Sequence, residues 1–136
     1  MVNNEIKEKV LDILRLKEKN ILLEEIKENT SIGVFFDSSN VIKKDIIGNE
    51  TVRMTFSIFY KVDAKDTMTR LSASRKLNDI GAFIESLAKI NKLPEIDEKR
   101  YFIKMEMISS AVLEGREDNG AYIYRAIYAA DYRNKK

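Results

Sequence analysis

The sequence predicts an α+β fold, with an antiparallel or mixed β-sheet of four to five strands packed against a long helix and a further helix at the N-terminus. Three stretches carry this prediction. In residues 52–62, Val52, Met54, Phe56, Ile58, Tyr60 and Val62 alternate with Arg53, Thr55, Ser57, Phe59 and Lys61. That is the period of a strand, on the order of 33 Å long. In residues 69–90, Leu77, Ile80, Ile84 and Leu87 recur at helical spacing with Phe83 beside them, so all five are expected to be largely buried. The stretch after Asn119-Gly120, a strong turn signal, places Tyr122, Tyr124, Tyr128 and Tyr132 on one face of a final strand and Ile123, Arg125 and Ile127 on the other.

The remaining elements follow in chain order. Residues 3–18 read as an amphipathic helix with Ile6, Val10, Ile13 and Leu14 on one stripe, extended by the stem of Lys17 and capped by Asn3 or Asn4. Ile21, Leu22, Leu23 and Ile26 form either a short second helix or an extended lead-in, ending near Asn29-Thr30. Residues 32–36 read as a strand, Ser38-Ser39-Asn40 as a turn, 41–47 as a second short strand and Gly48-Asn49-Glu50 as another turn. The run from Asp63 through Ala64, Lys65 and Asp66 to Thr67 interrupts the pattern before the long helix. Gly81 inside that helix costs roughly 1 kcal/mol relative to Ala and implies a tight contact or a bend. Leu93-Pro94 closes the helical unit. Residues 101–109 read as a strand, and 113–120 as a charged loop.

At 136 residues the expectation is a single domain spanning 1–136. A net charge of +2, with 44% hydrophobic and 34% charged residues, fits a globular chain without a dedicated polyanion-binding character. No apolar run approaches the ~20 residues of a membrane span, and Met1-Val2-Asn3-Asn4-Glu5 lacks signal-peptide character, so no membrane association is expected. Cysteine and histidine are both absent. That removes thiol nucleophiles, disulfides, the commonest general base and the commonest metal ligand. No catalytic, cofactor-binding or metal residue is assigned, and the chain is not expected to be an enzyme.

Several clusters have a functional reading beside a plainer one. Glu24, Glu25 and Glu28 lie among lysines and read as a solvated helix face rather than paired acid–base groups. Glu114, Glu117 and Asp118 lack the spacing of a calcium loop. Lys43, Lys44, Arg53, Lys61, Lys65, Arg70, Arg75 and Lys76 outnumber Asp45, Glu50, Asp63 and Asp66, which would suit a phosphate backbone or be ordinary surface charge. The tyrosine row is either a stacking platform for bases or a packed edge and protein interface. A final strand with large side chains on both faces needs cover on both. This points to a subunit completed by its neighbours.

Three segments together resemble the tail-terminator proteins of tailed phages and prophages of Gram-positive bacteria, often labelled minor capsid proteins. The first runs from Val41-Ile42-Lys43-Lys44 through Gly48-Asn49 to Arg53 and Phe56-Ser57-Ile58, with Asp45 in place of the family's usual aromatic. The second is the helix Asn78–Leu87 with its Leu93-Pro94 exit, where Phe83 stands at the usual tryptophan. The third is Ile103–Met107, a loop, and Gly120-Ala121-Tyr122 leading to Tyr128. The resemblance covers roughly residues 32–132. It implies a homo-oligomeric ring, six-fold in such proteins, that caps the tail tube, stops its polymerisation and offers a surface to a sheath or head–tail connector. DNA would be passing cargo only. The protein would reside in a virion or phage-tail-like particle assembled in the bacterial cytoplasm. The interface residues expected on this reading are Lys43, Lys44, Asp45, Arg53, Phe59, Glu117, Asp118, Tyr122, Tyr124 and Arg125, with the segments 38–50 and 113–120 as projecting loops. The alternative function is a nucleic-acid-binding module using the tyrosine face and the basic middle section.

Overall fold

A computed structural model describes residues 4–28, 30–63 and 66–136. The order is α1 (Asn4–Lys17), β1 (Leu22–Leu23), β2 (Ser31–Lys44), β3 (Glu50–Val62), α2 (Thr67–Lys89), β4 (Arg100–Arg116) and β5 (Tyr122–Asn134). The strands form one five-stranded mixed sheet in the order β1-β2-β3-β5-β4. Only the β1–β2 pairing is parallel. The fold class is therefore α+β, as the periodicities predict.

β5 is a long inner strand, lying between β3 and β4. It pairs with β3 along the whole length of both, Glu50 opposite Asn134 through Val62 opposite Tyr122, and with β4 on its other side. Both helices lie on one face. The stripe of α1 (Ile6, Val10, Ile13, Leu14, joined by Leu11) is buried, whereas Lys17 is exposed and adds nothing to it. Asn4 opens this helix; Asn3, the other capping candidate, lies outside the described residues, as do Asn29, Ala64 and Lys65. Leu77, Ile80 and Ile84 of α2 are buried with Ala73 and Gly81, while Phe83 and Leu87 are half-buried at the rim of the stripe. Asp66 caps α2, its carboxylate accepting the Thr69 N–H at 2.8 Å. That bond is the largest effect holding the Asp66 carboxyl below the ordinary carboxylate range.

The C-terminal end of α2 is set by Asn91 rather than by Pro94. Asn91 sits at φ 59°. Its N–H bonds the Ala88 carbonyl and the Lys92 N–H bonds the Leu87 carbonyl, closing the helix in a Schellman arrangement. Gly81 marks a tight contact. A Cβ there would strike the Met107 side chain, so α2 sits hard against β4.

Four sequence expectations are corrected. After Ile21 the chain takes the extended of the two expected forms, so the helix face expected for Glu24, Glu25 and Glu28 is instead an exposed loop. Ser38-Ser39-Asn40 is not a turn. The chain runs straight through it as part of β2, which absorbs the polar residues in register shifts at Phe36/Ser38 and Val41/Lys43. The Ser38 and Thr55 hydroxyls share a 2.7 Å bond across the strands, so the polar cluster is satisfied within the sheet. Likewise β4 continues past residue 109 to Arg116 through further register shifts. The two expected loops therefore shrink to the turns at residues 45–49 and 117–121.

Candidate functional site

Alternation sends every second side chain of β2, β3, β5 and β4 to the face away from the helices. One segment reaches this face: Glu25 and Ile26 cross Gly33 so closely that a Cβ there would strike the Glu25 carbonyl oxygen. Elsewhere the face is a network of charged, hydroxyl and aromatic side chains. Arg53 donates from Nε and Nη2 to Asp131 Oδ1 and Oδ2 at 2.9 and 3.0 Å, a bidentate pair across β3 and β5. The Asp131 hydrogen bond raises the Arg53 pKa. Ser57 donates to Asp37 at 2.8 Å and accepts from Arg125 Nε at 3.1 Å. The Arg125 guanidinium also lies 5.5 Å from the centre of the Phe59 ring, and Phe59 meets Phe35 edge-on at 5.3 Å. Ile123 and Ile127 are half-exposed beside them.

The two turns stand at opposite ends of the sheet. In the β2–β3 turn, Asp45 accepts from the Ile47 N–H, the Asn49 N–H and the Asn49 amide, and pairs with Arg133 Nη2 at 2.7 Å. Desolvation pushes the Asp45 carboxyl up, but the Asn49 and Ile47 hydrogen bonds and the Arg133 charge outweigh it and leave the pKa lowered. The tied turn holds Ile46 and Ile47 out in solvent at 104% and 70% exposure. Val41, Ile42, Lys43 and Lys44 are exposed on the adjoining end of β2. At the other end, the β4–β5 turn is closed by backbone bonds between Glu117 and Ala121 and from Gly120 to Glu117. Asn119 works there through its side chain, which accepts the Ala121 N–H at 3.0 Å. Glu117 pairs with the buried Lys61 at 2.7 Å.

The predicted interface residues thus separate into groups. Arg53, Phe59 and Arg125 come together on the open face. Lys43 and Lys44 are exposed at one end, and Asp45 beside them fastens its turn. Glu117 and Asp118 are at the other end, with Tyr122 half-buried nearby under the Arg70 and Arg116 guanidiniums. Tyr124 is different. At 6% exposure it belongs to the core on the helix face and presents no surface. Tyr128 and Tyr132 share that core. The Tyr128 ring stacks on Phe56, its hydroxyl donates to the Leu77 carbonyl at 2.7 Å, and burial pushes its pKa up.

Burial of the tyrosine row removes the base-stacking platform that the nucleic-acid reading needs. The basic middle section is also divided, since Arg53, Lys61 and Lys76 are each paired to a carboxylate. A polar cleft of about 490 Å³ beside the end of α1 is lined by Arg15, Glu18, Tyr60 and Lys76 among others. There Arg15 donates to the Ile21 carbonyl and Lys76 pairs with Glu18.

Sequence reading missed Asp37, Ser57 and Asp131. Their parity along the strands places them opposite the apolar core residues, but the Arg53–Asp131 match depends on a register between strands 78 residues apart. It also missed the exposure of Ile46 and Ile47, which look like ordinary strand residues.

No protein-family model and no curated protein matches the sequence. The fold is similar to a chain in a solved structure described as the virion of a native gene transfer agent particle. The TM-score is 0.60 at 10% identity, over 95% of this chain and 92% of that one.

Proposed function

We propose that this chain is a non-enzymatic structural subunit of a phage-type particle, a tail terminator that assembles as a ring on the end of the tail tube and stops its growth. The observation that carries the reading is the one-sided sheet: helices cover one face, while the other keeps a pre-formed charged and aromatic network open beside two well-ordered turns. A surface of that kind suits contact with other protein subunits, where an apolar centre and a polar rim are both needed. The fold shared with a chain of a gene transfer agent virion supports a place in such a particle. The three-segment resemblance to tail terminators supports the narrower role. A terminator needs two unlike sides, one matching the tube and one that does not repeat it, and unlike patches joined head to tail are what a ring uses. Six copies per ring, a tube protein as the axial partner, and a sheath or connector beyond it are parts of this proposal.

The test is genetic and structural together. Deleting the gene should give tails or tubes of abnormal length that fail to join heads or fail to finish. Particles of normal length with normal ends in the deletion strain would sink the reading. Light scattering of the purified chain should give several times 15.8 kDa.

A further inference from the structure

The edges of the sheet are blocked at opposite ends. On the β2 side, β1 covers only Gly33 and Val34, with the Glu24 N–H added to the Val34 carbonyl. Among the described residues nothing pairs with that edge from Phe35 to Lys44. On the β4 side the reverse holds. A bridge between Glu95 and Tyr101 and the bond from Ile96 N–H to the Arg100 carbonyl occupy the beginning of the strand. Among the described residues its later part pairs with no further strand, and its contact of this kind from α2 is the Asn78 side chain, which accepts the Ala111 N–H at 3.0 Å. Because β2 and β4 run in opposite directions, the unblocked β2 segment ends at the 45–49 turn and the unblocked β4 segment ends at the 117–121 turn. The two free corners are therefore diagonal across the sheet.

The corners also differ in character. The β2 corner is apolar and basic. Val41 and Ile42 are about half exposed, Ile46 and Ile47 more so, and Lys43 and Lys44 have no ion-pair partner among the described residues. The β4 corner is apolar and acidic. Ile108, Val112 and Leu113 are each about half exposed, beside Glu114, Glu117 and Asp118, which outnumber the exposed Arg116 among them; Glu117 pairs with Lys61, and Glu114 stands 3.9 Å from Arg125. Neither corner matches itself: basic would face basic, and acidic would face acidic. Each matches the other on a second copy.

We infer that the β2 corner of one copy docks on the β4 corner of the next, Lys43 and Lys44 against Glu114 and Asp118, with the exposed isoleucines and valines of both corners covered between them. This contact rests on the reading of the chain as a self-assembling subunit and identifies which surfaces join. It is heterologous, so it propagates from copy to copy and closes only as a ring or continues as a filament. It joins opposite ends of the edge strands. A flat ring therefore requires the strands to incline to the ring axis, the same coupling of stagger and tilt that closes a barrel.

Charge exchange tests it on the full chain. Lys43→Glu with Lys44→Glu makes both corners acidic, and Glu114→Lys with Asp118→Lys makes both basic. Glu117 is left in place because it holds Lys61. Each variant alone should associate more than about tenfold more weakly than the wild-type chain in light scattering, since like charges now meet. An equimolar mixture of the two should recover the wild-type mass, because every acidic β2 corner then finds a basic β4 corner. Variants that assemble as the wild type does, or a mixture that stays apart, would overturn the contact while leaving the ring reading intact. A wild-type chain that never self-associates would overturn both. The absence of native cysteine permits a second measurement. Lys43→Cys with Asp118→Cys should give an oxidised ladder beyond the dimer on a denaturing gel, whereas a self-matching contact would stop each single variant at a dimer.

Discussion

The same strands build two unlike surfaces, one under the helices and one away from them. On the helix face, β3 and β5 set Phe56 on Tyr128, Met54 beside Ala130 and Ile58 beside Ala126, all fully buried. The alanines leave room for α2 to come down onto the sheet. On the other face, the same two strands set Arg53 against Asp131 and Phe59 against Arg125. Stability resides on the first face, where full burial of a large apolar side chain is worth roughly 1.5–3 kcal/mol. The second face is satisfied by hydrogen bonds whose net worth is smaller, about 0.5–1.5 kcal/mol each. It is ordered without being covered by a helix.

Mutations should separate the two faces in size of effect. Phe56→Ala opens the centre of the helix face and should cost about 3–5 kcal/mol in denaturant unfolding. A loss no greater than that of an open-face substitution would abolish the distinction. Gly81→Leu drives a side chain into Met107 and should cost about 1–3 kcal/mol, partly recovered when Met107→Ala is added. Without that recovery, α2 is not seated on Met107. Arg53→Ala leaves Asp131, at 7% side-chain exposure, without its partner. Arg53 is itself 37% exposed and solvent screens the pair, so the loss should be about 1–2 kcal/mol. Ile46→Ser with Ile47→Ser removes two large apolar side chains but should shift stability by less than about 0.5 kcal/mol. A larger shift would mean the turn is packed within its own chain.

The turn gives one pH expectation. The Asp45 pKa is lowered on folding, so its contribution is present above the unfolded carboxylate value and is lost as pH falls through the lower folded value. The exchange protection of the Ile47 and Asn49 amides, measured relative to the intrinsic rate at each pH, should hold above about pH 4 and decline in stronger acid. Asp45→Asn should remove most of that pH dependence. Protection that is unchanged by acid would show that the turn does not depend on the carboxylate.

Parity was the legible part of this fold. The alternation of 52–62 gave β3, and the spacing of Leu77, Ile80 and Ile84 gave the buried stripe of α2. Alternation placed all four tyrosines on one face but could not say which face the helices cover. Ala126 and Ala130, small residues set between tyrosines, are the feature that marks the face pressed by a helix. The turn signal misled at Ser38-Ser39-Asn40, and the charged run from residue 113, read as loop, is strand as far as Arg116. Within a long hairpin, polar and glycine residues can be taken up as bulges, and only the facing strand reveals it. For the candidate surface, Lys43, Lys44, Phe59 and Arg125 could be named from composition and parity. The Arg53–Asp131 pair and the diagonal corners arise from strand order, which local sequence does not encode.

That strand order also governs timing. β5, which lies between β3 and β4, is the last of the five to be synthesised, and β4 has it as its only long strand partner among the described residues while β3 has it as one of two. A growing chain that has reached Arg116 holds only the β2–β3 hairpin, the short β1 and two helices, with β3 unpaired on one side. Residues 50–62 must wait for residues 122–134, a long-range closure of the kind that slows folding. A chain cut short before residue 122 therefore lacks the strand that joins β4 to the rest of the sheet, and it leaves one edge of β3 exposed.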